Sequence, residues 1–185
     1  MRGLAFPKEL IAMSNEDRLV HDKPGHLIRR LQQIAVALFM AEARDFDVTP
    51  VQYAALLAIS LHPGIDQTAL VNIIAFDRST IGDVVGRLVT KRLIKRTTGE
   101  RDGRTKVLQV TPAGEQLLRE IEPRVRAAQR HILAPLTASE RTAFTKMLRK
   151  LVHLNNEYSR VPRRSKETRG RRVDNARANS VHRPA

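Results

Sequence analysis

At 185 residues the chain is long enough for one sizeable domain with appendages, and its formal charge of +14 points to a polyanionic partner, either nucleic acid or an anionic membrane surface. It contains no cysteine, which excludes disulfides, thiolate catalysis and cysteine-ligated zinc or iron–sulfur centres. No apolar run approaches the ~18 residues of a membrane span, and Lys8, Glu9, Asn15, Glu16 and Asp17 break up any leader-like stretch, so a cytoplasmic protein with no membrane role is expected.

Residues 1–23 are weakly periodic and read as an irregular arm, closed by Pro24-Gly25. From His26 to about Arg44, Leu27, Leu31, Ile34, Ala35 and Leu38 recur at helical spacing, and Phe39 and Met40 widen the stripe. Thr49-Pro50-Val51-Gln52 supplies a cap, a first-turn proline and a capping-box glutamine for a helix ending near Leu61, before the turn His62-Pro63-Gly64. Asp66 caps a helix carrying Leu70, Ile73 and Ile74. Asp77 caps the next, which ends near Lys91 or Arg92. Leu93 to Thr98 and Lys106 to Val110 read as two strands. Thr111-Pro112 opens a helix with Leu117, Leu118, Ile121 and Val125, and Thr137-Ala138-Ser139-Glu140 opens a last one with Phe144, Met147, Leu148, Leu151 and Leu154. Residues 159–185 carry nine lysines and arginines against two acids, half the formal charge, and read as a disordered basic tail.

The predicted fold is therefore mainly α with a small β-hairpin wing. A winged helix-turn-helix module spans 49–111, and dimerisation helices flank it at 26–44 and 112–158. The flanking helices hold more apolar surface than so small a module can cover, so a two-fold homodimer on a pseudo-palindromic duplex is expected.

Within the module, the helix from Asp77 has an inward stripe of Ile81, Val84, Val85 and Leu88, leaving Arg78, Ser79, Thr80, Asp83 and Arg87 outward. Short hydroxyls and backbone N–H groups at a helix start suit a phosphate, and the two arginines can reach guanine edges or further phosphates. A capped surface helix of any fold offers similar residues. The hairpin tip is more specific: Arg101, Asp102 and Arg104 crowd a glycine-bounded turn, where Asp102 can orient one guanidinium and leave another for a minor groove. Double-stranded DNA is the partner these features fit.

Residues from about His26 to Tyr158 resemble the MarR family of transcriptional regulators. The resemblance rests on Thr49-Pro50-x-Gln52-Tyr53, on Asp77-Arg78-Ser79-Thr80-Ile81, on Leu88-Val89-x-Lys91-x-Leu93-Ile94-x-Arg96, and above all on Arg101-Asp102-x-Arg104-x-x-x-Leu108-x-Val110-Thr111-x-x-Gly114. The family pattern often places glycine where this chain has Arg92, a departure expected to matter little. The resemblance implies a homodimer, usually a repressor, that leaves its operator when a small ligand binds.

It also implies an effector site between the dimerisation helices and the winged module, where Arg29, Arg30, Phe39, Arg44, Tyr53 and His62 are the candidates. Guanidinium beside an aromatic slot suits an aromatic carboxylate. The alternative leaves the arginines solvated and the two rings in the core or a dimer contact. Pro24-Gly25-His26-Leu27-Ile28-Arg29-Arg30 and His62-Pro63-Gly64-Ile65-Asp66-Gln67 look similar to members controlling aromatic-acid breakdown, some responding to the acid and others to its coenzyme A thioester. The six histidines are scattered, so no metal site is expected; no cofactor motif or nucleophile constellation supports an enzyme. The basic tail either adds phosphate contacts or serves as a solubilising extension. Two rivals remain open: an architectural DNA-binding protein without effector, and a winged helix that binds protein.

Overall fold

The structure, a computed structural model, describes residues 19–98, 106–159 and 162. Most of the expected N-terminal arm, the hairpin tip and almost all of the basic tail lie outside the described residues. The elements in order are α1 (Pro24–Glu42), a 3-10 turn (Arg44–Phe46), α2 (Pro50–Leu61), β1 (Ile65–Asp66), α3 (Gln67–Ile74), α4 (Arg78–Thr90), β2 (Ile94–Thr98), β3 (Lys106–Val110), α5 (Pro112–Ile132), α6 (Ala138–Leu154) and a closing 3-10 turn (Asn156–Tyr158).

Helix starts follow local chemistry. Thr49 and Gln52 exchange both capping-box hydrogen bonds at 3.3 Å, and Thr137 with Glu140 repeats the device. Asp66 accepts from the Ala69 amide at 2.7 Å, and Thr111 Oγ1 accepts from the Gly114 amide at 3.1 Å. Each cap stands where the spacing of Thr, Asp, Gln and Glu predicts it.

The core forms around α2, whose Ala55, Leu56 and Ile59 are fully buried and which touches α3, α4, β3 and α5. Leu70 of α3, Ile81, Val85 and Leu88 of α4, Ile94 of β2, Leu108 of β3 and Ile121 of α5 close over it. Ile73 and Ile74 are only half-buried. Phe39 belongs to this same core, so it is not surface left for a partner.

Three strands form the sheet, not the two that patterning suggests. The order is β1-β3-β2, all antiparallel, with Ile65 opposite Leu108 and Arg96 also opposite Leu108 on the other side. A two-residue strand has no periodicity to read, and Asp66 doubles as the α3 cap.

Arg92 needs a correction. It lies at φ +58°, the left-handed region, where a Cβ is disfavoured. Its carbonyl accepts from the Thr111 hydroxyl at 2.7 Å, and the Leu93 amide donates to Leu88 at 3.0 Å, so the turn from α4 into β2 is tightly tied. Glycine is the relaxed residue here, and the departure from the family pattern therefore has a conformational cost. The next approach is closer still: a Cβ on Gly114 would lie 2.2 Å from the Leu93 carbonyl oxygen.

Helix α1 packs along α5, and the His131 and Glu42 side chains meet at 3.0 Å near their C-terminal ends. α6 stands apart. None of its residues is buried, and Met147, Leu151, Val152 and Leu154 are more than half exposed. Leu27, Ile28 and Ile34 of α1 are similarly open. Among the described residues, no helix is long and apolar enough to cross a membrane.

Candidate nucleic-acid interface and effector cleft

Helices α3 and α4 meet through a turn in which Ala75 takes φ +55° and Asp77 caps α4. Ile81, Val84, Val85 and Leu88 anchor α4 to the core, leaving Arg78, Ser79, Asp83 and Arg87 exposed and Thr80 half-buried. Burial of one stripe on a rigid core fixes the rotation of the helix, and with it the outward set.

The Asp77 carboxylate does more than cap. It accepts from Ser79 Oγ at 2.6 Å, from the Thr80 amide at 2.8 Å and from Thr80 Oγ1 at 2.7 Å. Those bonds, the Ser79 hydroxyl first among them, hold its carboxyl far below the usual carboxylate range. Both hydroxyl protons are thus turned inward. The sequence alone suggests Ser79 and Thr80 as donors to phosphate; in the free chain only their oxygen lone pairs face outward, and a phosphate contact would require the hydroxyls to rotate.

Past α4 the chain enters the hairpin whose stem is β2 and β3. Arg101, Asp102 and Arg104 fall on its tip, outside the described residues. The stem adds cations that sequence reasoning passed over: Lys95, Arg96 and Lys106 are all exposed.

The six effector candidates do not converge. Phe39 and Tyr53 do meet, with ring centroids 5.9 Å apart. Arg44 is exposed beside Asp45, His62 is exposed at the end of α2, and Arg29 and Arg30 sit on the exposed part of α1.

Tyr53 instead faces α5. It lines an open cleft of about 370 Å³ with Leu57 and Ser60 of α2 and Glu115, Leu118, Arg119 and Glu122 of α5. Two hydroxyl–carboxylate bonds cross it: Tyr53 Oη donates to Glu122 at 3.0 Å, and Ser60 Oγ donates to Glu115 at 3.0 Å. Residues 53 and 60, like 115 and 122, are two helical turns apart, so the bonds are rungs about 10 Å apart on antiparallel helices. Arg126 Nε holds the other Glu122 oxygen at 2.8 Å, and these two bonds keep the Glu122 carboxyl below its ordinary value. Burial, then the bond to Glu122, pushes the Tyr53 phenol up to about 12. The α5 wall was missed by sequence reasoning, although Glu115, Arg119 and Glu122 recur at spacings of four and three, a polar stripe on one helix face. Among the described residues, no three His, Asp or Glu side chains gather as metal ligands.

Comparison with known proteins agrees with this geometry. A family model described as MarR family matches residues 46–105, from the end of the first 3-10 turn through β2 to the residue before β3. The HTH-type transcriptional repressor NicR of Pseudomonas putida is 31% identical over 133 residues, which are 72% of this chain and 84% of NicR. The structure of the PcaV transcriptional regulator from Streptomyces coelicolor with its natural ligand superposes with a TM-score of 0.65 at 34% identity, covering 76% of this chain and 98% of PcaV. BpsR of Bordetella bronchiseptica, whose structure concerns regulation of its DNA binding by 6-hydroxynicotinic acid, gives 0.68 at 28% identity, covering 71% and 94%. The chain belongs to the MarR family of winged-helix transcriptional regulators, which bind DNA and are not enzymes.

Proposed function

We propose that this protein is a sequence-specific repressor, acting as a homodimer on a pseudo-palindromic operator and released by an aromatic carboxylate. The observation that carries the reading is α4: a capped helix locked to the core by four buried residues, with Arg78, Asp83 and Arg87 outward and a basic hairpin beside it. Arg78 and Arg87 read base edges, Ser79 and Thr80 meet phosphate, and Arg101 and Arg104 enter the minor groove with Asp102 orienting them. Dimerisation is supported by α6, an amphipathic helix none of whose residues is buried among the described residues. PcaV with its natural ligand and BpsR with its regulation by 6-hydroxynicotinic acid support a small-molecule effector here, and the second supports an aromatic acid.

The test is fluorescence anisotropy of duplexes flanking the gene, titrated with hydroxylated aromatic acids and, separately, with their coenzyme A thioesters. Operator release by an acid supports the reading, and release only by a thioester moves the effector to that class. Tight binding that neither releases leaves an architectural protein, and equal affinity for every duplex removes sequence specificity altogether.

A further inference from the structure

The faces of the hairpin stem are not equivalent, and strand register says which cation lies on which face. Residues directly opposite on antiparallel strands share a face, and successive residues alternate. Ile94 opposite Val110 and Arg96 opposite Leu108 therefore share the face that continues to Thr98 opposite Lys106. Ile94 and Leu108 are buried in the cluster that includes Ile81, Val85 and Leu88 of α4. That face is turned toward the shared core to which α4 is also anchored, and β2 packs directly against α4. The same face holds Arg96, level with Leu108, and Lys106 one pair farther out, both exposed, with Lys106 Nζ donating to Thr98 Oγ1 at 3.2 Å. Lys95, opposite Gln109, lies on the far face. Among the described residues none of these three cations makes an ion pair.

We propose that Arg96 and Lys106 form a phosphate rail on the inner face of the stem. The inference rests on the DNA-binding reading above. With α4 in a major groove and the hairpin tip in the adjoining minor groove, the sugar–phosphate strand between those grooves runs through the angle between helix and stem. The two cations are diagonal neighbours on paired strands, about 7–8 Å apart at the backbone. That spacing lets them grip successive phosphates of this strand. Such contacts carry no sequence information; they set the depth and tilt at which α4 is held.

Lys95 is a built-in control, with the same charge on the same strand but the opposite face. Arg96→Gln, Lys106→Gln and Lys95→Gln are compared by the dependence of operator affinity on salt, using the flanking-gene duplex that the unaltered protein prefers. Removing one cation from a phosphate should flatten the slope of log K against log salt by about 0.9. The rail predicts that flattening for Arg96→Gln and for Lys106→Gln, no change for Lys95→Gln, and unchanged melting temperatures for all three. Equal flattening by all three would reduce the effect to bulk charge and overturn the rail. Unchanged slopes for Arg96→Gln and Lys106→Gln would overturn it as well. An unaltered protein that binds no duplex in a salt-dependent way sinks the DNA-binding reading itself, and the rail with it.

Discussion

Replacing Arg92 by glycine should stabilise the protein. Arg92 sits at φ +58° between α4 and β2, and a residue with a Cβ loses roughly 1–2 kcal/mol there. Glycine removes that strain but brings extra unfolded-state freedom, which takes back about 0.5–1 kcal/mol. The local bonds use the backbone: the Arg92 amide donates to Val89 at 2.9 Å, and its carbonyl accepts from Thr111. The side chain is exposed, so its loss removes little packing. The net gain is about 0.5–1 kcal/mol, or roughly 1–4 °C in a thermal melt of a chain this size. Arg92→Ala controls for charge, because it deletes the guanidinium and keeps the Cβ. If Arg92→Gly melts no higher than Arg92→Ala, the left-handed strain is not what the position costs.

Gly114→Ala should act in the opposite sense, since its Cβ would stand 2.2 Å from the Leu93 carbonyl oxygen and 2.7 Å from Val110 Cγ1. The start of α5 must back away from the wing at a cost of about 1–3 kcal/mol, read as a lower urea midpoint; an unchanged midpoint would contradict the close approach. Gly86→Ala meets no atom within 4 Å in the free chain, so it should raise stability by up to about 1 kcal/mol through helix propensity. The same methyl lies on the outward side of α4 proposed to face DNA and should weaken operator binding; anisotropy showing undiminished affinity would place that face away from the duplex. Tyr53→Phe tests the cleft by pH. The folded phenol titrates near 12, above its ordinary value of 10.0, so its stabilisation is complete below pH 10 and fades as pH rises through 12. In alkaline unfolding scans the wild type should lose this part of its stability and the variant should not. Parallel curves would remove the Tyr53–Glu122 rung.

What could be read from the sequence was what local chemistry decides. Thr49, Asp66, Asp77, Thr111 and Thr137 announce helix starts because a short acceptor side chain meets the free amides within three residues, and all five cap in the structure. The stripe of Ile81, Val84, Val85 and Leu88 needs only helical period to be seen, and it fixes which side of α4 faces outward. Non-local features were not visible. Strand β1 exists only because Ile65 and Asp66 find β3 some 40 residues away, and the cleft exists because α2 and α5 run antiparallel and place Tyr53 against Glu122. The effector candidates were drawn from α1, α2 and their flanking turns, whereas the wall that faces Tyr53 across the cleft comes from α5. Backbone strain was hidden for a related reason: nothing in the residues around Arg92 says that the chain must turn left-handed to bring Leu93 back to Leu88.

If two joined chains present two helix-and-hairpin grips at a fixed separation, the duplex itself should record that separation. Hydroxyl-radical footprinting of the preferred duplex, with stoichiometry from light scattering of the same complex, reads it. Two chains per duplex are expected, with two symmetric protected patches centred about one helical turn (10–10.5 base pairs) apart. A single protected patch under one chain, or protection spread evenly along the duplex, would contradict the paired grip.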